Sequence, residues 1–146
     1  MRTIILRGVV FLFLAFFAVG AQAQSVDCNN PTSMAPDGRT LSGNIPALTT
    51  LWFSVAARGA SSYAAEANYP TAADSAFPTL NAFAPGDVQP GCSGASSLNP
   101  RNLMQFDPVI PNGNRVSVTA ASAMTILVGV TNSSMQARDF TVRVAE

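Results

Sequence analysis

Apolar and polar side chains alternate with a period of two along much of this chain. In "LWFSVAA", Leu51, Phe53 and Val55 fall on one face, with Trp52 and Ser54 on the other. "RVSVTA" sets Val116, Val118 and Ala120 against Arg115, Ser117 and Thr119. "DFTVRVA" does the same with Phe140, Val142 and Val144 against Thr141 and Arg143. Such alternation marks strands with one buried face. Turn-forming clusters separate the runs: "NNP" at 29, "PDG" at 36, "APGD" at 84, "QPGCSG" at 89, "NPRN" at 99, "IPNGN" at 110 and "TNSS" at 131.

One run departs from the rule. "MTILVGVT" is apolar on both faces, with Ile126, Val128 and Val130 on one side and Met124, Leu127 and Gly129 around the other. A strand of that kind is central in its sheet, or covered on its second face by a loop or partner. It joins the preceding strand through a tight "AASA" connection, and the pair is too interrupted for a membrane span. "SSYAAEANYPTAAD" has the alanine content for a short helix from a Ser cap, but Pro70 limits its length and a strand is the favoured reading. The pattern predicts strands near 39–45, 50–57, 62–68, 79–83, 103–107, 115–120, 124–131 and 138–145, with a long surface loop over 84–102. Short strands, frequent turns and no convincing helix point to an all-β fold, a single antiparallel β-sandwich of jelly-roll-like type with about eight strands.

The first residues read differently. Arg2 and Arg7 precede the apolar run Val9–Val19, and "AQA" at 21–23 offers a cleavage site, the layout of a secretory signal peptide over 1–23. The domain is then 24–146, exported to the periplasm or beyond the cell. Lipidation at Cys28 is disfavoured because Asp27 stands where a lipobox needs a small residue. Export places the two cysteines, Cys28 and Cys92, in an oxidising compartment, where an even pair reads as one disulfide.

Charge narrows the partners. The chain has no lysine, and after cleavage six arginines face eight acids, a net charge of about −2. No basic stripe is available for phosphates, which excludes nucleic acid as a partner. A cationic amphipathic helix is equally absent, so no membrane insertion is expected after signal cleavage.

Catalytic chemistry is narrowed further. There is no histidine, which removes Ser-His and Cys-His nucleophile pairs and imidazole metal sites. Without lysine there is no Schiff base or Walker motif. Glu66, Asp74, Asp87, Asp107 and Asp139 are scattered singly, whereas a glycosidase needs two acids about 5–10 Å apart. No enzyme activity and no cofactor are expected. Calcium is the one metal option: Asp74 and Asp87, with Asn81, would supply hard oxygen ligands, against the plainer reading of turn-capping side chains. "NSS" at Asn132 fits a glycosylation sequon but reads as a hairpin turn. For ligand binding, Trp52, Tyr69 and Arg101 are the candidates, as aromatic rings stack on sugars and anchor interfaces. The alternative for Trp52 is burial beneath the long loop.

"GRTLSGNIPALTTLWFSVAARGASSYAAEA" resembles the opening of the bacterial pre-peptidase C-terminal domain, which runs "L-x-G", then "x-F-x-V/F-x-A", then "G-x-x-Y-x-V". Leu41 and Gly43, Phe53 and Val55, and Gly59 and Tyr63 occupy those places. "ILVGVTNSSMQARDFTVRV" is similar to the family's last two strands. The final strand opens on "RDF" where the family has "G-x-Y", and the middle "D-x-D-L-x-L" is reduced to Asp74 and "PTLNAF". The resemblance implies a small jelly-roll-like sandwich that accompanies secreted enzymes, some members binding calcium or polysaccharide. Together these readings predict an exported, non-catalytic module that binds an extracellular polysaccharide or protein. The rival is a structural subunit that self-associates through strand edges, motivated by the doubly apolar 124–131 strand.

Overall fold

The computed structural model describes residues 24–71, 76–84, 88, 92, 105–106, 110 and 112–146. Among these residues the alternating runs form nine strands and no helix: β1 (Thr32–Met34), β2 (Asp37–Ile45), β3 (Thr49–Ala57), β4 (Ser61–Asn68), β5 (Thr79–Phe83), β6 (Gln105–Phe106), β7 (Gly113–Ala120), β8 (Met124–Asn132) and β9 (Arg138–Ala145). All eight predicted strands are present, and the alanine-rich segment is strand β4. Only β1 was missed. Its three residues are too few to show a period, and it exists by pairing in parallel with Phe53–Val55 of β3.

The strands form two sheets, β1-β3-β8-β5 and β2-β9-β4-β7-β6. Every chain connection except β6 to β7 passes from one sheet to the other. Hydrogen-bonded neighbours are therefore distant in sequence, as in β3 with β8 and β2 with β9. The Asn132–Ser134 segment is accordingly not a hairpin turn, because β8 and β9 lie in different sheets.

The inward positions meet between the sheets. Phe53, Val55, Ile126, Val128 and Val130 of one sheet pack on Ala65, Val116, Val118, Phe140 and Val142 of the other, all buried. Phe53 and Phe140 meet across the layer with ring centroids 6.3 Å apart. Each valine, isoleucine or phenylalanine side chain so withdrawn from water stabilises the fold by about 1.5–3 kcal/mol before entropic costs.

One end of the sandwich is closed by a polar hub. Asn132 is fully buried; its Nδ2 donates to the carbonyls of Pro46 (3.0 Å) and Gln136 (2.8 Å), and its Oδ1 accepts from the backbone N–H of Ser134 and the Tyr69 hydroxyl. Burial pushes the Tyr69 hydroxyl above its ordinary range, opposed by the charge of Arg138. The sequon asparagine is thus a structural tie between two loops, and its amide is turned inward.

Candidate functional site

The two sheets present opposite kinds of outer face. On the four-stranded sheet the outward side chains of β3, β8 and β5 include Trp52, Leu127 and Phe83, and these are buried with Cys28 in a second apolar cluster. Trp52 and Phe83 lie with ring centroids 6.1 Å apart. Val88 and Cys92, from the long loop, pack against the same cluster. Cys28 and Cys92 are joined by a disulfide, S–S 1.98 Å, as expected for two cysteines in an exported chain. Register explains how close the indole comes to the neighbouring strand: Trp52 stands directly opposite Gly129 of β8, and a Cβ there would lie 3.2 Å from the ring.

These contacts overturn the expectation that aromatics are displayed for a ligand. Trp52 keeps 1% of its surface exposed and Tyr69 2%. Trp52 does point away from the main core, as the alternation implied, but it is covered there by Cys28, Phe83 and Leu127, with Val88 and Cys92 packed against them. Tyr69 is spent on Asn132. Neither ring is available for stacking. Arg101, Asp74 and Asp87 lie outside the described residues, so the calcium expectation finds no geometry here. Asp27 lies beside Cys28 and Cys92, but the two sulfurs are bonded to each other and are not thiolate ligands.

Among the described residues, the outer face of the five-stranded sheet is made of half-buried and exposed side chains. Strand register puts Glu66 of β4 directly between Arg143 of β9 and Arg115 of β7. Glu66 Oε2 accepts from Arg143 Nε at 2.7 Å and stands 2.6 Å from Nη2, while Oε1 lies 3.6 Å from Arg115 Nε. The carboxylate is the most covered of the three, at 18% side-chain exposure against 43% for Arg115 and 52% for Arg143. Hydroxyls and an amide surround this row. Thr141 donates to Asn68 Oδ1, Ser62 bonds Thr119 across the strands, and Ser61 donates to Glu146.

Two concavities adjoin on this face and share Glu66 and Arg143. One, of about 450 Å³, is bordered by Thr40, Asn68 and Thr141; the other, of about 390 Å³, by Ser62, Arg115, Ser117 and Glu146. The result is a shallow track across the strands in which charged and hydroxyl groups alternate with Ala64, Ala67, Ile110 and Ala145. Its charged, hydroxyl and amide groups suit hydrogen bonding.

None of the three residues of the central row was a candidate in the sequence. Alternation did place Arg115 and Arg143 outward, and Glu66 stood among the scattered acids. What brings them together is register between strands far apart in the chain, which alternation does not encode.

No protein-family model matches the sequence, and no curated protein does either. Two solved structures are similar in fold. The pre-peptidase C-terminal domain of a collagenase from Bacillus anthracis superposes with a TM-score of 0.55 at 11% identity, over 77% of this chain and 92% of that one. A periplasmic inhibitor of g-type lysozyme from Aeromonas hydrophila superposes with a TM-score of 0.50 at 14% identity, over 78% and 95%. At such identities the likeness is one of fold. The chain has a β-sandwich fold like that of the pre-peptidase C-terminal domains, the type its "L-x-G", aromatic and "G-x-x-Y" strands resemble.

Proposed function

We propose that this is an exported, non-catalytic β-sandwich module that binds an extracellular or envelope polymer along the outer face of its five-stranded sheet. The observation that carries this reading is the pair of adjoining concavities sharing Glu66 and Arg143. Two contiguous subsites in line suit successive units of a chain-like ligand better than a single small molecule. Around them, hydroxyls, an amide and planar charged groups stand on strands, which hold their side chains more firmly than loops do. Export is supported by the signal-like leader and by the Cys28–Cys92 disulfide. The fold's likeness to a periplasmic inhibitor protein agrees with a binding role outside the cytoplasm.

Edge-to-edge assembly loses the strand that motivated it. β8 is flanked by β3 on one side and β5 on the other, and its outward side chain Leu127 is covered.

The test is retention of the oxidised protein on immobilised glycans and on envelope extracts. Arg143→Ala is expected to weaken retention about tenfold, the effect of losing one charge-assisted contact. Arg39→Ala, off the track and highly exposed, is expected to leave it unchanged. Equal retention of both variants, or none by the native protein, would remove that outer face from consideration.

A further inference from the structure

We infer that the polymer recognised on this face is an uncharged, hydroxyl-rich polysaccharide rather than an acidic one; the inference rests on the outer-face reading above and names its ligand. The track carries four ionised side chains, Glu66, Glu146, Arg115 and Arg143, two of each sign. Among the described residues these side-chain charges cancel. Arg143 is already committed to Glu66 through Nε and Nη2, so a carboxylate-bearing polymer would lose the paired, two-pronged contact with that guanidinium and would have only its remaining N–H groups to meet. It would also approach two fixed acids, and like charges brought together oppose binding.

A neutral sugar meets neither obstacle. Its hydroxyls both donate and accept, so they pair with the outer lone pairs of a carboxylate, with guanidinium N–H groups, and with the hydroxyls of Thr40, Ser62 and Ser117 without disturbing the ion pair. The planar Glu66–Arg143 pair sets acceptors beside donors at the junction of the two concavities, a fixed pattern against which neighbouring hydroxyls on one ring can align. Stacking plays no part at the described surface. Tyr63, which borders the second concavity, is buried, and its hydroxyl accepts from the backbone N–H of Arg58. Recognition by hydrogen bonds alone where the side-chain charges cancel is weak and nearly indifferent to salt, because no counterions are released on binding.

The experiment is retention of the oxidised, full-length mature protein on an insoluble neutral glucan, an insoluble neutral mannan and a resin-coupled polyuronate, each at low and high sodium chloride. Retention is expected on a neutral polymer, unchanged by salt, and weakened about tenfold by Arg143→Ala. Glu66→Gln keeps the shape of the side chain but leaves two arginines against one acid. That variant is expected to gain retention on polyuronate, and the gain should vanish at high salt. Melting curves of both variants check that the fold is intact. Native protein that prefers polyuronate and is released by salt would overturn the inference while leaving the outer-face polymer reading in place, as would binding confined to envelope proteins. Retention on neutral polymer that Arg143→Ala does not alter would overturn the site and the inference together, and retention on nothing would end both readings.

Discussion

The outer face of the four-stranded sheet carries a buried apolar cluster, whereas the described outer face of the five-stranded sheet is rich in charged and hydroxyl side chains, although both are built from the same alternating strands. On the first, Trp52, Phe83 and Leu127 form a second core closed by Cys28–Cys92. On the second, the same outward positions carry Glu66, Arg115, Arg143 and hydroxyls. An outward aromatic on this scaffold therefore contributes to stability. Outward charges and hydroxyls are the groups left to meet a partner. The comparison separates two kinds of experiment: changes in the apolar cluster should act on folding, and changes on the charged face should act on binding.

Trp52→Ala tests the apolar cluster most severely. It removes a buried indole from between Phe83, Cys28 and Gly129, and a loss of about 3–5 kcal/mol is expected from the lost burial and the cavity left behind. Denaturant unfolding measures it. A loss below about 1 kcal/mol would mean that the indole is not core.

Cys92→Ser should follow at about 2–4 kcal/mol. The bridge spans 64 residues, and in the chain-entropy account so long a loop costs the unfolded state about 4 kcal/mol of freedom. Mass spectrometry of unreduced, alkylated native protein should show one linked peptide pair containing Cys28 and Cys92. Alkylation of both thiols would undo the comparison, because the apolar cluster would then lack its closing bridge.

Tyr69→Phe lies inside the sandwich and should cost about 1 kcal/mol, the worth of its hydrogen bond to Asn132. Its pH dependence is more telling. Burial raises the hydroxyl's folded-state pKa above that of the unfolded chain, so the folded state holds its proton more tightly. The resulting stability is present below the unfolded value of about 10 and is lost as pH rises through the folded value. Native protein should lose stability above about pH 10 more steeply than Tyr69→Phe does. Parallel curves for the two would sink this assignment.

Arg143→Ala should have the smallest effect on stability, within about 0.5 kcal/mol, because ion pairs between exposed side chains contribute little. A loss as large as that of Trp52→Ala would show that the charged face is structural after all, and the contrast between the two faces would collapse.

Much of this division was legible in the chain. Alternation put Phe53, Val118 and Phe140 inward, and the doubly apolar run over 124–131 announced a strand central in its sheet or covered on its second face. Strand β8 is both flanked by β3 and β5 and buried at Leu127. At Trp52 alternation left two outcomes open, display to a ligand or burial beneath further chain, and the structure takes the second. The period of a strand says which side of its own sheet a residue occupies and nothing about what lies above that side. The reading failed at Asn132 because a short polar loop after a strand suits a hairpin and a crossing between sheets equally well.

The sequence by itself determined that this is an all-β chain, roughly where eight of the described strands lie, and which side chains share a face, because period-two geometry is local to each strand. It also determined that the chain offers no imidazole or lysine chemistry, which follows from composition alone. Tertiary structure alone decided that β8 lies between β3 and β5, that the disulfide-bonded cysteines pack with Trp52 and its neighbours, and that Arg143, Glu66 and Arg115 stand in one row across β9, β4 and β7. Those facts depend on register between strands that are up to 77 residues apart for the Glu66–Arg143 pair, and register is set by how two whole sheets fill the space between them rather than by any local pattern.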